Sequence, residues 1–223
     1  MVGLAITIAV LVAASLTGQV IKYHFGHPTA FGLVTFFYLD HENSLPTWYQ
    51  SMVLLFASAL LAGNALTVRR DGAPFFARWA VLSALFLFFS LDEAARVHER
   101  TIEPLQRLTG IPQGMWAPTW VFLGLAFVLI FAAFYLEFVL HLRPAQRIRL
   151  LVGGFLFVLG AVGVEMATAK MGLGLNRELK ESFDYAMMVH VEEALEMIGA
   201  AIFIDFLLRR LDGQGAFRIA VAA

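Results

Sequence analysis

The chain has 223 residues, of which 60% are hydrophobic and 15% charged, and its mean hydropathy is strongly positive. A soluble domain of this length needs far more polar surface, so the composition points to an integral membrane protein. The formal net charge of −1 argues against a nucleic-acid partner, and the absence of cysteine excludes disulfides, zinc ribbons and thiolate-ligated iron–sulfur clusters.

Residues 2–21 (VGLAITIAVLVAASLTGQVI) open the chain. No Lys or Arg precedes them and the stretch is long for a signal-peptide core, so it reads as a retained first span. Further windows able to cross roughly 30 Å of hydrocarbon follow at 48–68, 75–97, 119–142, 148–170 and 184–208. Each must be helical, because lipid offers no partner to backbone N–H and C=O groups. The breaks fall at RRDGAP (69–74), TGIPQG (109–114), HLRPAQR (141–147) and GLGLN (172–176), all rich in turn residues. Pro46 opens the second span, where proline is well tolerated. The expected fold is all-α: one membrane domain over 1–223, a polytopic bundle of about six helices.

Arginine sets the sidedness. Arg69, Arg70, Arg78, Arg143, Arg147, Arg149, Arg209, Arg210 and Arg218 gather at one end of the spans with few acids nearby. The other end carries Lys22, Arg96, Arg100, Arg107, Lys170, Arg177 and Lys180, mixed with most of the carboxylates. The positive-inside rule then places both termini in the cytoplasm. Trp48, Trp116 and Trp120 fall at the outer boundary as an interfacial belt, and Trp79 at the cytoplasmic one.

The arginine layer also serves as a ruler. At about 1.5 Å per residue, Asp92 lies roughly 21 Å above Arg78, and Glu165 roughly 24 Å above Arg149. By the same rise, Glu193 and Glu196 lie roughly 24 and 20 Å above Arg209. Three helices thus bring carboxylates to nearly one level. An acid at a helix centre opposes insertion by about 2.5–3.5 kcal/mol, so the group needs protonation, a basic partner or a bound cation. Helical spacing puts Asp92, Arg96, Glu99 and Glu103 on one face, with Glu93 facing elsewhere. His190 and Glu193 are i, i+3 neighbours able to reach one ion, as carboxylate–histidine sites in bundles do. Glu165 is the only charge within 150–169 and most needs a partner from another helix.

The first-choice metal ligands are therefore Asp92, Glu165, His190 and Glu193. Glu42, His98, Glu99 and Glu196 stand as partners or an outer shell. Imidazole with carboxylate suits a divalent metal such as zinc, iron or manganese. Simpler readings cover the rest: Glu192 as a solvated charge, Glu137 snorkelling to Arg143, Asp205 paired with Arg209, and the methionines and glycines as packing residues. Ser90 has no catalytic helper, and no nucleotide motif is present.

The stretches LDHENSLPTWYQSMVLL (39–55), FFSLDEAARVHER (88–100) and HVEEALEMIGAAIF (190–203) resemble recurring blocks of uncharacterised bacterial multispanning membrane proteins. The resemblance implies the fold and attaches no activity. The alkaline ceramidase-like hydrolases pair two histidines four apart in their last motif; here the residue four after His190 is Ala194, so that match fails. Membrane di-iron oxidases use repeated Glu-x-x-His, whereas this chain has the reversed pattern once.

The expectation is an acid-and-histidine pocket open to the periplasmic side that binds a divalent metal. With an open coordination position, it would act as a metal-dependent enzyme on a lipid-like substrate. Two alternatives use the same residues: a proton- or cation-coupled transporter, and an accessory subunit of a membrane complex or homo-oligomer.

Overall fold

The computed structural model describes residues 1–97, 100, 104, 107, 119–168 and 182–213. Among them the chain forms seven α-helices. Helix α1, Val2–His24, is apolar along its length. The chain then reverses through a single 3₁₀ turn, Ala30–Gly32, and the short α2, Leu33–Phe37, lies back along α1. The two helices meet at Gly18, where a Cβ would stand 3.4 Å from the Val34 Cα, in ordinary van der Waals contact.

Helix α3, Leu45–Arg70, starts as the sequence predicts. Ser44 is its N-cap, accepting from the Thr47 N–H, and Pro46 sits in the first turn, where its missing N–H leaves nothing unpaired. Helix α4, Phe76–Ala95, ends earlier than expected because Arg96 adopts a left-handed conformation (φ 47°, ψ 50°) and caps it. Helix α5 is Thr119–His141 and α6 is Pro144–Val158. Helix α6 continues through a π-helical segment, Leu159–Val164, back into α-helix as far as Thr168. Helix α7, Phe183–Gly213, is unbroken for 31 residues.

Four of these helical stretches are long and apolar enough to cross a membrane: α1, α3, 124–141 of α5, and 144–168 of α6 with its extension. Helices α4 and α7 pack among them and carry the acids that lower their apolar character. The expected breaks at 109–114 and 172–176 lie outside the described residues, as do His98, Glu99, Glu103, Lys170 and Trp116.

Two kinds of contact hold the bundle. Helices α3 and α4 form an antiparallel pair stitched by reciprocal serine bonds. Ser51 Oγ donates to Ser90 O (2.9 Å) and Ser90 Oγ to Ser51 O (2.8 Å). One heptad along, Ser58 Oγ donates to Ser83 O (2.7 Å) and Ser83 Oγ to Ser58 O (2.9 Å). Small hydroxyl residues are effective here because they let backbones approach and add hydrogen bonds where lipid supplies no hydrophobic drive. Ser90, without a catalytic helper in the sequence, is half of this ladder. Deeper in the bundle, aromatic rings from α4 and α7 interleave: Phe86 stacks on Phe203 (4.6 Å), and Trp79 lies between Phe138 (4.9 Å) and Phe206 (6.1 Å). Trp79 is 1% exposed, so it is a core residue rather than the interfacial anchor expected.

Helices α6 and α7 meet through glycine. A Cβ on Gly199 would lie 2.6 Å from Phe157 N and 2.7 Å from Gly153 O, and one on Gly153 would lie 2.9 Å from Gly199 O. These are backbone atoms, which cannot yield as a flexible side chain can. Gly154, by contrast, faces open space. Replacing Gly199 by Ala should therefore destabilise the protein by about 1–3 kcal/mol, as overpacking does. Gly154→Ala should be close to neutral, and paired thermal unfolding in detergent measures the difference.

Candidate functional site

The acids gather where α4, the far end of α6, α7 and the 38–44 segment meet. The node that positions them is a buried hydrogen-bond set around His190, which is 4% exposed. Its Nδ1 donates to Ala186 O one turn back (2.6 Å), leaving Nε2 as an acceptor for the Ser15 hydroxyl (2.8 Å). Ser15 Oγ in turn accepts the Leu39 N–H (3.2 Å). One side chain thus joins α1, α7 and the segment leading to α3, with both imidazole nitrogens engaged. The Tyr38 ring packs 5.9 Å from that of His190. Burial, with Asp40 beside it, pushes the Tyr38 phenol above its ordinary range, so it stays protonated.

Arg96 closes the site from the other direction. The left-handed cap of α4 turns its guanidinium to the 38–44 segment, where it meets Asp40 Oδ1 (2.8 Å) and Glu42 Oε1 (3.2 Å) and donates to Asp40 O (3.3 Å). The helical face expected to run from Asp92 through Arg96 to Glu103 therefore ends at Ala95. Glu42, expected at the outer surface, is exposed and held by this arginine.

Glu196 lies within electrostatic reach of Glu93, Glu192, Glu165 and Asp92, and Glu193 within reach of Glu93, Glu196, Asp40 and Glu192. Of the first-choice ligands, Asp92 and Glu165 lie within reach of Glu196, whereas the acids around Glu193 are Glu93, Glu196, Asp40 and Glu192. His190 is turned into its own bonds instead of towards Glu193. Glu93, placed on another face by helical phase, is the first neighbour of both central acids, because the packing of α4 on α7 decides which side looks inward. Glu192 is half-buried rather than solvated: Thr168 Oγ, itself buried, lies 3.1 Å from Glu192 Oε2 and 3.0 Å from Val164 O.

Local backbone explains how Glu165 reaches this place. The π-helical segment ends immediately before it, and such segments re-aim the side chains that follow. Gly160, within that segment, sits so close to α7 that a Cβ would be 2.7 Å from both Glu192 O and the Glu196 Cγ.

Glu193 and Glu196 make no hydrogen bond or ion pair with any described residue, and both are half-buried. Among the described residues, no three His, Asp or Glu side chains stand as a group able to hold one metal ion. Elsewhere the acids have ordinary partners. Asp205 pairs with Arg209 (2.8 Å), as its spacing predicts, and also with Arg149 (3.3 Å). Glu137 pairs with Arg78 (3.5 Å) instead of Arg143.

These features define an all-α protein with four helices able to cross a membrane and a carboxylate-rich site at one end of the bundle. Over residues 3–211 the chain matches the family described as Domain of unknown function (DUF8692), and it belongs to that family. No curated protein and no solved structure matches it.

Removing the hydroxyl at the node leaves the Leu39 N–H and the His190 Nε2 without a partner, a loss of about 1–3 kcal/mol. Ser15→Ala should accordingly lower thermal stability by that amount and raise hydrogen exchange at Leu39. Exchange unchanged at Leu39 would show that Ser15 does not hold the segment.

Proposed function

We propose that the protein is a six-span bacterial inner-membrane protein, both termini cytoplasmic, whose acid pocket binds a divalent cation from the periplasmic side. The observation that carries this reading is the pair Glu193 and Glu196: successive turns of one helix, half-buried, with other carboxylates for neighbours and no described donor or cation against them. Like charges held together by packing create an electrostatic well for a positive ion. Asp92, Glu93 and Glu165 are the next ligands or counter-charges, from two further helices. With both nitrogens of His190 engaged, the donors are all oxygen, which favours magnesium, calcium or manganese over zinc. His190 acts as a positioning residue for the wall of the pocket.

A second reading uses the same pair. The absence, among the described residues, of a ready three-ligand group favours a proton- or cation-coupled carrier, in which carboxylates load and release rather than hold. The π-helical break in α6 beside Glu165 supports it, since interrupted helices accompany such sites.

Glu196→Gln tests both with opposite signs. In cation-free buffer the variant should melt higher than wild type, because a repulsive charge is gone. With manganese or calcium added, wild type should be stabilised, while the variant binds roughly tenfold or more weakly, about 1.4 kcal/mol or more. Elemental analysis of purified protein and pH-dependent flux in liposomes then separate a resident ion from a transported one. Wild type that holds no metal, gains no stability from divalent ions and carries no flux would end both readings.

A further inference from the structure

The opposite end of the bundle holds a second site of reversed charge. Between the end of α3, the start of α4, the α5–α6 turn and the end of α7 lies a cavity of about 340 Å³. One wall is apolar, formed by Phe75, Trp79 and Phe138; the other presents Arg143, Arg209 and Arg210. No carboxylate lines it among the described residues. Volumes of this size hold small-molecule groups.

The arginines are unequally occupied. Arg209 is committed to Asp205. Arg210 packs its guanidinium over Trp79 (4.7 Å) and reaches Gln146 Oε1 only at 3.5 Å. Among the described residues its buried Nε has no hydrogen-bond partner and no acid pairs with it. Arg143 makes no described ion pair and stands at the N-terminus of α6, a 15-residue helix without a side-chain cap. Two like charges, a buried unpaired donor and an uncapped helix start therefore converge on one space. Each is individually unfavourable, and each is relieved by the same group, a tetrahedral oxyanion. The adjoining aromatic wall, at the arginine-bearing boundary of the bundle, suits the apolar portion of an amphiphile.

We infer that this cavity binds a phosphate ester, with Arg143 and Arg210 on the phosphate oxygens and Trp79 and Phe138 against the apolar remainder. The source is either the headgroup of an anionic phospholipid or a free phosphate ester from the aqueous side. The inference does not depend on the cation reading, since it rests on different residues at the other end of α7.

Full-length protein in phosphatidylcholine nanodiscs, with and without phosphatidylglycerol, supplies the test, with native mass spectrometry reading retained lipid. Wild type should retain phosphatidylglycerol in preference to phosphatidylcholine, and Arg210→Gln should reduce that preference about tenfold. Arg143→Gln, whose exposed side chain supports no described contact, should do the same without a folding defect. Arg70→Gln, an arginine at the same end paired to Asp71, should leave the preference unchanged. If lipid shows no preference but inorganic phosphate raises the melting temperature of wild type and not of Arg143→Gln, the ligand is a soluble phosphate ester and the site stands. Equal retention of both lipids together with no response to phosphate overturns the inference. So does an unchanged preference in a folded Arg143→Gln.

Discussion

The close backbone contact between α6 and α7 is the constraint on which the acid site depends. Gly153, Gly160 and Gly199 let two helices approach until a single methyl group would collide with main-chain atoms. In lipid, where apolar surface gains little by being covered, such contact is the chief means by which helices hold a fixed relation. Here it fixes more than packing. Gly160 presses directly against the turn that carries Glu192 and Glu196, so the π-helical segment and Glu165 behind it arrive at the acid face of α7 as one unit.

That arrangement is expensive in itself. Half-buried carboxylates held together lose hydration and, when ionised, repel one another. The surrounding framework is built the other way, from neutral groups whose hydrogen bonds close on one another: the Ser51–Ser90 and Ser58–Ser83 ladders, and the Ser15–His190–Leu39 node. The contrast is informative. A chain that satisfies a buried imidazole with two partners leaves Glu193 and Glu196 with none among the described residues. Local conflicts of this kind, set in an otherwise consistent framework, mark the places where function and stability compete.

Much of this was legible in the sequence, and the limits have physical causes. The helices could be read because lipid forces long apolar segments into helix and because proline and glycine clusters end them; the observed bounds extend α1, α3 and α7 by a few residues and stop α4 short of the reading, at Ala95. Asp205–Arg209 follows from spacing alone. That Asp92 and Glu165 lie within electrostatic reach of Glu196 agrees with the reading of depth, a one-dimensional property that helical rise converts directly into ångströms. Rotation about the helix axis was much less legible. Glu93 faces the site because α4 packs on α7, and Arg96 turns to Asp40 and Glu42 because its backbone leaves the helix, an event no periodicity announces. Glu137 pairs with Arg78 and the His190 Nε2 with Ser15, both on other helices, where near-neighbour spacing named Arg143 and Glu193. Trp79 is an interfacial residue by position and a core residue by packing, since α5 covers it with Phe138.

The two charged sites share one structural member. Helix α7 carries Glu196 and Arg210 fourteen positions apart, about 21 Å along its axis at the standard rise, with Phe203 and Phe206 filling the interval against α4. Of its acids, Asp184, Glu192, Glu193 and Glu196 lie in the N-terminal half, while Arg209 and Arg210 share the C-terminal half with Asp205 and Asp212. Helix α7 is unbroken and buried along much of its length. Helix α6 borders both regions: its π-helical turn departs from the regular ladder just before Glu165, and Arg143 at its start lines the arginine cavity. The acids and the arginines therefore stand at the two ends of one helix–helix contact, the one that Gly153, Gly160 and Gly199 hold close, so any change in that contact is felt by both.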